Sequence, residues 1–280
     1  MKHRILLTLL ALGPATAFAW GDECRYKADR AGGVDARGLE KVVIRTGAGD
    51  MKVVGNAAAV RVEARGVACA SSESALEKAQ ISVRREGNVA IVETLLPQDA
   101  GDDSFGDDDR AWIDIGIALP DNLPVEAMDS SGDARFQDLK QLTLQDSSGD
   151  LEIERIAGLV DVTDSSGDLE IEAAGGVRVR DSSGDIELED IRGDVEVELD
   201  SSGDIRISNV SGSARVRQDS SGSIRFEEVK GDVEVDSDSS GDIHAKRVGG
   251  NFTVKEDSSG SIRHEDIGGR ITVPDNKRND

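Results

Sequence analysis

Residues 181–222 read DSSGDIELEDIRGDVEVELDSSGDIRISNVSGSARVRQDSSG. Asp-Ser-Ser-Gly opens this stretch, recurs at Asp200 and closes it from Asp219. Along the chain it occurs eight times, beginning at Asp129, Asp146, Asp164, Asp181, Asp200, Asp219, Asp238 and Asp257, at intervals of 17 to 19 residues. A fixed period of this length marks a solenoid, a propeller or an array. Between the copies, apolar and charged residues alternate, as in Asp185-Ile186-Glu187-Leu188-Glu189 and Asp194-Val195-Glu196-Val197-Glu198. Period two puts Ile186 and Leu188 on one face and the glutamates on the other, the pattern of a half-buried strand. Ile191 adds an apolar corner contact. Gly193 and the Ser-Ser-Gly at 182–184 mark two turns, where glycine accepts φ > 0.

One unit buries about five aliphatic side chains, each worth roughly 1.5–3 kcal/mol. Ordering its backbone costs about 1–2 kcal/mol per residue. Burial must therefore continue between units. A parallel β-solenoid and an antiparallel meander both do this. The solenoid is preferred, because stacking like on like rewards keeping Asp-Ser-Ser-Gly constant, and a meander does not. The expected fold is all-β, a parallel solenoid of 17–19-residue coils over residues 119–275, in front of a less regular β region at 20–118. At a strand spacing of about 4.8 Å, eight coils give a rod about 38 Å long.

Residues 1–19 read as a secretory signal peptide. Lys2, His3 and Arg4 precede an apolar run, Ile5 to Leu12, and Ala17-Phe18-Ala19 suits cleavage. The run is too short to span a bilayer, and no other stretch is a transmembrane candidate. The mature chain is expected to be exported: periplasmic, at the cell surface or secreted. Cys24 and Cys69 are the two cysteines, and in an oxidising compartment they read as a disulfide. The formal charge is −23, and losing Lys2 and Arg4 makes it −25. That balance speaks against nucleic acid as a partner.

Residues 41–65 resemble a worn repeat, with Val42-Val43-Ile44, then Gly47 to Val53, then Val60-Arg61-Val62-Glu63. Residues 66–113 interrupt it. Ser72 to Ala79 is the helix candidate, capped by serine. Ile81-Ser82-Val83 and Asn88 to Leu95 read as strands joined by a turn at Glu86-Gly87-Asn88. Asp99, Asp102, Asp103, Asp107, Asp108 and Asp109 form an acidic loop without EF-hand spacing. Trp112 is expected to plug the end of a core. Residues 276–280 form the tail.

The sequence offers no catalytic constellation. It has no Gly-x-Ser-x-Gly, phosphate loop or zinc spacing. His244 and His264 do not recur through the units, and His264 takes the slot of Ile207 and Phe226. The many glutamates alternate as outward residues, so no pair stands out as a glycosidase pair. No catalytic residue, metal ligand or cofactor is assigned, calcium on the aspartates excepted.

Taken together, the Ser-Ser-Gly-Asp-Ile units, the Gly-Asp-Val returns and the lead-in Leu119-Pro120…Leu123-Pro124-Val125 resemble the bacterial putative-adhesin family, over roughly residues 40–273. The resemblance implies an exported or membrane-tethered β-solenoid of uncharacterised function. This chain departs from it in lacking a tether or wall-sorting tail. The expected function is a non-enzymatic structural or adhesive module at the cell envelope, its flat charged face binding an envelope or surface ligand, protein or polysaccharide. A carbohydrate-active β-helix enzyme is the alternative, on fold analogy alone. A calcium- or lattice-binding repeat protein is the third reading.

In parallel register the eight aspartates would form a ladder with a step of about 4.8 Å. Neighbours would repel by roughly 1 kcal/mol in water-like dielectric. Either an Asx turn, with backbone N–H donated by the following Ser and Gly, or calcium between coils would offset this. The residue after each glycine is aspartate at 133, 150, 168, 185, 204 and 242 but serine at 223 and 261. A continuous calcium column would not lose ligands in two coils, which favours the turn.

Overall fold

The computed structural model describes residues 24–97 and 110–275. The signal peptide expected at 1–19, the acidic loop expected at 99–109 and the tail expected at 276–280 lie outside the described residues. The repeat region is a parallel β-solenoid, flattened into two sheets that share one core. The first sheet stacks β2 (Lys41–Arg45), β8 (Val125–Met128), β10 (Leu142–Gln145), the second halves of β11 (Leu151–Thr163) and β12 (Leu169–Arg180), then β14 (Val195–Leu199), β16 (Ala214–Asp219), β18 (Val233–Asp238), β20 (Phe252–Asp257) and β22 (Ile271–Thr272). The second sheet stacks β3 (Met51–Gly55), β9 (Ala134–Gln137), the first halves of β11 and β12, then β13 (Ile186–Glu189), β15 (Ile205–Val210), β17 (Ile224–Val229), β19 (Ile243–Val248) and β21 (Ile262–Ile267).

Register is what makes the core. Leu169, Ile186, Ile205, Ile224, Ile243 and Ile262 lie in one column, each opposite the next. Val177, Val195, Ala214, Val233 and Phe252 form a column on the first sheet. Apart from Ile262 at the last coil, these side chains are at most 2 % exposed. A one-residue slip would turn every inward side chain outward, so the alternation fixes the stacking.

The worn repeat at 41–55 is a true coil, since β2 lies parallel to β8 and β3 parallel to β9. Residues 66–113 do more than interrupt it. Their flanks supply β6 (Val89–Leu95), parallel to β2, and β7 (Ala111–Leu119), parallel to β3, which together place a further layer beneath the first coil. Over that layer lie β1 (Tyr26–Asp35), β4 (Arg61–Ala70) and β5 (Gln80–Glu86), all antiparallel to their neighbours. Val60 to Glu63 therefore does not complete a repeat: β4 runs against β7 and covers the end of the rod. Antiparallel strands can reverse over an end where a parallel coil would leave an edge. The helix is α1 (Glu73–Lys78), and Ser72 accepts a hydrogen bond from the Ala75 N–H as its cap. Arg30 donates to the carbonyls of Leu76 and Ala79 at its other end. Cys24 and Cys69 are joined, their Cα atoms 5.6 Å apart. Trp112 is only half-buried, on the outward side of β7 between Ala111 and Ile113, and plugs no core.

The two turns of a coil use glycine differently. At the Ser-Ser-Gly turn, Gly184 has φ 132° and a Cβ there would sit 1.8 Å from the Gly167 carbonyl oxygen. At the second turn Gly193 has no positive φ. It is small because Gly175 O would lie 2.3 Å from its Cβ. The left-handed residue of that corner is three positions earlier and is not glycine. Asp138, Arg155, Ala173, Asp190, Asn209, Glu228, Arg247 and Asp266 have φ between 51° and 60°. This recurrent kink carries each chain from the second sheet toward the first, and the alternating pattern gave no sign of it.

An L-residue held left-handed costs roughly 1–2 kcal/mol, and glycine gives back about 0.5–1 kcal/mol of that in backbone entropy. Ala173→Gly is therefore expected to leave stability unchanged or raise it by up to about 1 kcal/mol. Gly184→Ala should lose more than about 4 kcal/mol, since backbone must move. Urea unfolding of the two variants beside the parent checks both. Equal stabilities would contradict this account of the turns.

Candidate functional site

Two features stand out from the stacked core: a buried column of carboxyls and an outer face with unbalanced charge. The column is the ladder of Asp129, Asp146, Asp164, Asp181, Asp200, Asp219, Asp238 and Asp257, each at most 6 % exposed. It lies inside the corner where the first sheet passes to the Ser-Ser-Gly turn. Asp200, Asp219, Asp238 and Asp257 pair in direct register.

Asp129, Asp164, Asp181, Asp200, Asp219 and Asp238 are held through Oδ1, whereas both oxygens of Asp146 are buried without a hydrogen-bond partner. The Ser130 N–H and the Thr46 hydroxyl donate to Asp129 at 2.9 and 2.7 Å. Ser165 N–H donates to Asp164, and Ser182 and Ser183 N–H to Asp181. At Asp200, Asp219 and Asp238 the donor is the second serine, at 3.1–3.2 Å. This is the Asx turn, with one correction. The glycine N–H is not a donor to the carboxyl, because it bonds the second-serine carbonyl of the next coil, as Gly184 does with Ser202. The second-serine hydroxyls tie coils in the other direction: Ser183 Oγ donates to Ser165 O, and Ser221 Oγ to Ser201 O.

The aspartates after the glycines have a separate job. Asp133, Asp150, Asp168, Asp185 and Asp204 each accept, through Oδ1, the backbone N–H of the corresponding residue one coil on. Serine can end such a run by donating its backbone N–H to the aspartate one coil back, which is how Ser223 and Ser261 fit, on Asp204 and Asp242. A similar ladder runs along the second turn through Asp194, Ser213, Asp232 and Asn251. The sequence showed these residues as variable polar positions. Their role is legible only when one coil is laid on the next.

Burial dominates the electrostatics of the column. It pushes Asp129 and Asp200 up to about 6, and Asp146, Asp181 and Asp219 up to about 7. Asp164 is raised for the same reason. Neighbouring carboxyls add to this: Asp129 and Asp164 act on Asp146, and Asp200 and Asp238 act on Asp219. Serine N–H bonds pull the other way but are outweighed.

The outer faces differ. On the first sheet, charges alternate in sign up the stack: Asp161, Arg178, Glu196, Arg215, Glu234. Beside them Arg217 meets Glu196 at 2.5 Å, Arg215 meets Asp236 at 2.6 Å, and Lys255 meets Glu234 and Asp236. On the second sheet, like charges adjoin. Glu152, Glu170 and Glu187 stack, then Arg206, Arg225, His244 and Arg263. Glu154, Glu172 and Glu189 form a second acidic row. Among the described residues Glu170, Glu172, Glu187, Glu189 and Arg225 make no ion pair. Glu189 is raised by partial burial and by Asp190, Glu172, Glu187 and Glu170 around it. His264 ends the inner column of Ala245, exposed, its ring 6.1 Å from Phe252.

A carboxyl whose pKa is raised on folding contributes stability that is complete below its unfolded value near 3.9 and is lost as pH rises through its folded value. For the column that window runs from about pH 4 to about 7. The melting temperature is therefore expected to fall between pH 5 and pH 8 at constant ionic strength. In the double variant Asp200→Asn, Asp219→Asn, which keeps the turn and removes two of the titrating groups, the fall should be shallower and the pH 8 value equal or higher. A steeper fall in the variant would refute this.

The geometry can be set beside known proteins. Solved structures similar to this chain include a putative adhesin from Bacteroides fragilis, 14% identical over 90% of this chain and 99% of that one, TM-score 0.39. Others are a putative adhesin from Parabacteroides merdae, 12% identical over 88% and 96%, TM-score 0.34, and a putative cell adhesion protein from Clostridium sporogenes, 13% identical over 88% and 98%, TM-score 0.28. No curated protein sequence matches. The Toastrack DUF4097 family model matches residues 34–266, from the end of β1 to the last coil, and the chain belongs to that family.

Proposed function

We propose that the protein is an exported, non-enzymatic binding module of the bacterial cell envelope, with the outer face of the second sheet as its docking surface. The contrast between the two outer faces carries this reading. Like charges directly opposite on neighbouring strands destabilise a sheet. The first sheet avoids this by alternation, while the second keeps Glu170, Glu172, Glu187 and Glu189 in one block and Arg206, Arg225, His244 and Arg263 in another. A partner with the opposite pattern relieves that repulsion. Strands hold such side chains at fixed spacing, which suits recognition by shape and charge. The Cys24–Cys69 disulfide and the basic-then-apolar leader support export.

The test is co-sedimentation of the mature chain with envelope polysaccharide and membrane fractions of the producing bacterium. Replacing Glu170, Glu172, Glu187 and Glu189 by Gln, or Arg206 and Arg225 by Gln, is expected to weaken binding at least about tenfold for one of the two sets. Replacing Glu196 and Arg217 on the first sheet should leave it within about twofold. Equal binding by all variants, or recovery of the native protein only from the cytosol, would overturn the proposal.

A further inference from the structure

The buried column presents a problem that the Asx turns solve only by half. Each carboxyl has two oxygens. Oδ1 takes the serine N–H, but Oδ2 of Asp129, Asp164, Asp181, Asp200 and Asp219 is buried and meets no donor. Asp200 and Asp219 are 0 % exposed. An ionised carboxylate with an unpartnered oxygen in an apolar interior is costly, and a row of them adds mutual repulsion. No lysine or arginine among the described residues pairs with these five. The groups that bear on them are further carboxylates, Asp50 on Asp129, Asp150 on Asp164 and Asp185 on Asp200, together with the Thr46 hydroxyl and the turn serines. The adjoining elements therefore bring the column more negative charge, hydrogen-bond donors to Oδ1 and no positive charge.

We infer that neighbouring aspartates of the column share protons, one for each pair of coils, in hydrogen bonds between carboxyl groups that run along the rod axis. The stacking supplies the geometry. Asp200 lies opposite Asp219, Asp219 opposite Asp238 and Asp238 opposite Asp257, at a strand spacing of about 4.8 Å. Two carboxyl groups leaning along the axis from that spacing reach hydrogen-bond distance, and an acid–carboxylate bond is of the short, charge-assisted kind. A proton taken from water onto one Oδ2 makes it a donor, and the neighbouring carboxylate accepts. One negative charge is removed from each pair, and two orphan oxygens are satisfied at once. Asp146 carries the need furthest: both of its oxygens are buried without a hydrogen-bond partner, and burial together with the charges of Asp129 and Asp164 on either side holds its carboxyl toward the protonated form.

Calcium fits the same place poorly. It takes 6–8 oxygens. The step between Asp200 and Asp219 offers their spare Oδ2 atoms, the Oδ1 atoms being held by backbone N–H. Among the described residues no group of three or more His, Cys, Asp or Glu is arranged to hold a metal ion. A proton needs one donor oxygen and one acceptor, which is what each step provides. Because the carboxyls are linked, the column titrates as a unit and not residue by residue.

Two measurements on the mature chain test this. Infrared spectra of the folded protein at pH 7 should contain a protonated-carboxyl band that disappears on unfolding in urea and shrinks in the Asp200→Asn, Asp219→Asn variant. Calorimetric unfolding at pH 7 in buffers of different ionisation heat should show release of one proton per pair of column carboxyls, about four for the eight. The infrared measurement on the parent stands even if the variant folds poorly. A spectrum with only ionised carboxylates at pH 7, or unfolding without proton release, would overturn the inference. So would calcium that copurifies with the parent and whose chelation lowers its melting temperature but not that of the variant.

Discussion

The structure depends on one constraint: every residue in the repeat lies against its own counterpart in the coil before and the coil after. Parallel in-register stacking multiplies whatever a position holds. An isoleucine becomes a buried aliphatic column, a left-handed corner residue becomes a row of strained corners, and a buried aspartate becomes a line of charge. Each column must therefore be tolerable in bulk, and the molecule is best understood column by column.

Three solutions to that constraint are visible. Apolar columns need nothing further. Outward columns on the first sheet alternate in sign, so each cation lies between two anions. Turn columns use side chains to receive the backbone N–H groups of the next coil, as Asp168 does for Asp185 and Asp232 for Asn251. The buried aspartates and the glutamate block of the second sheet's outer face, Glu170, Glu172, Glu187 and Glu189, are the two places where like still meets like without an evident local remedy, whereas Arg206 and Arg263 on that face meet Asp185, Asp204 and Asp242. Both are accordingly where the chemistry of this protein concentrates.

Much of this was legible in the sequence. The period, the alternation in Asp185 to Glu189 and the glycine of Ser-Ser-Gly determine coil, face and turn, because each is a local signal repeated many times. The helix from Glu73 and the turn at Gly87 were also local. The role of Val60 to Glu63 was not, since nothing in four alternating residues distinguishes a coil strand from a covering strand. Nor was the return of 89–95 and 111–119 beneath the first coil, a contact between segments that share no repeat. The left-handed corner escaped because its occupants, from Ala173 to Arg247, have no side-chain chemistry in common. The column's burial could be anticipated from its constancy, but not the free Oδ2, which depends on where the glycine N–H goes.

The orientation of the coil-to-coil hydrogen bonds has a mechanical consequence. They run along the rod, so tension applied to its two ends loads them in series and not in shear. Coils then peel away one at a time, each freeing about 19 residues, or roughly 60 Å of extended chain, for a small and repeated force. Strands pulled along their own direction would instead share the load and fail together. At its N-terminal end the rod resists differently, since β1 and β4 pair over ten residues and the disulfide crosses between them. A body built this way behaves under load as an extensible leash with one fixed end.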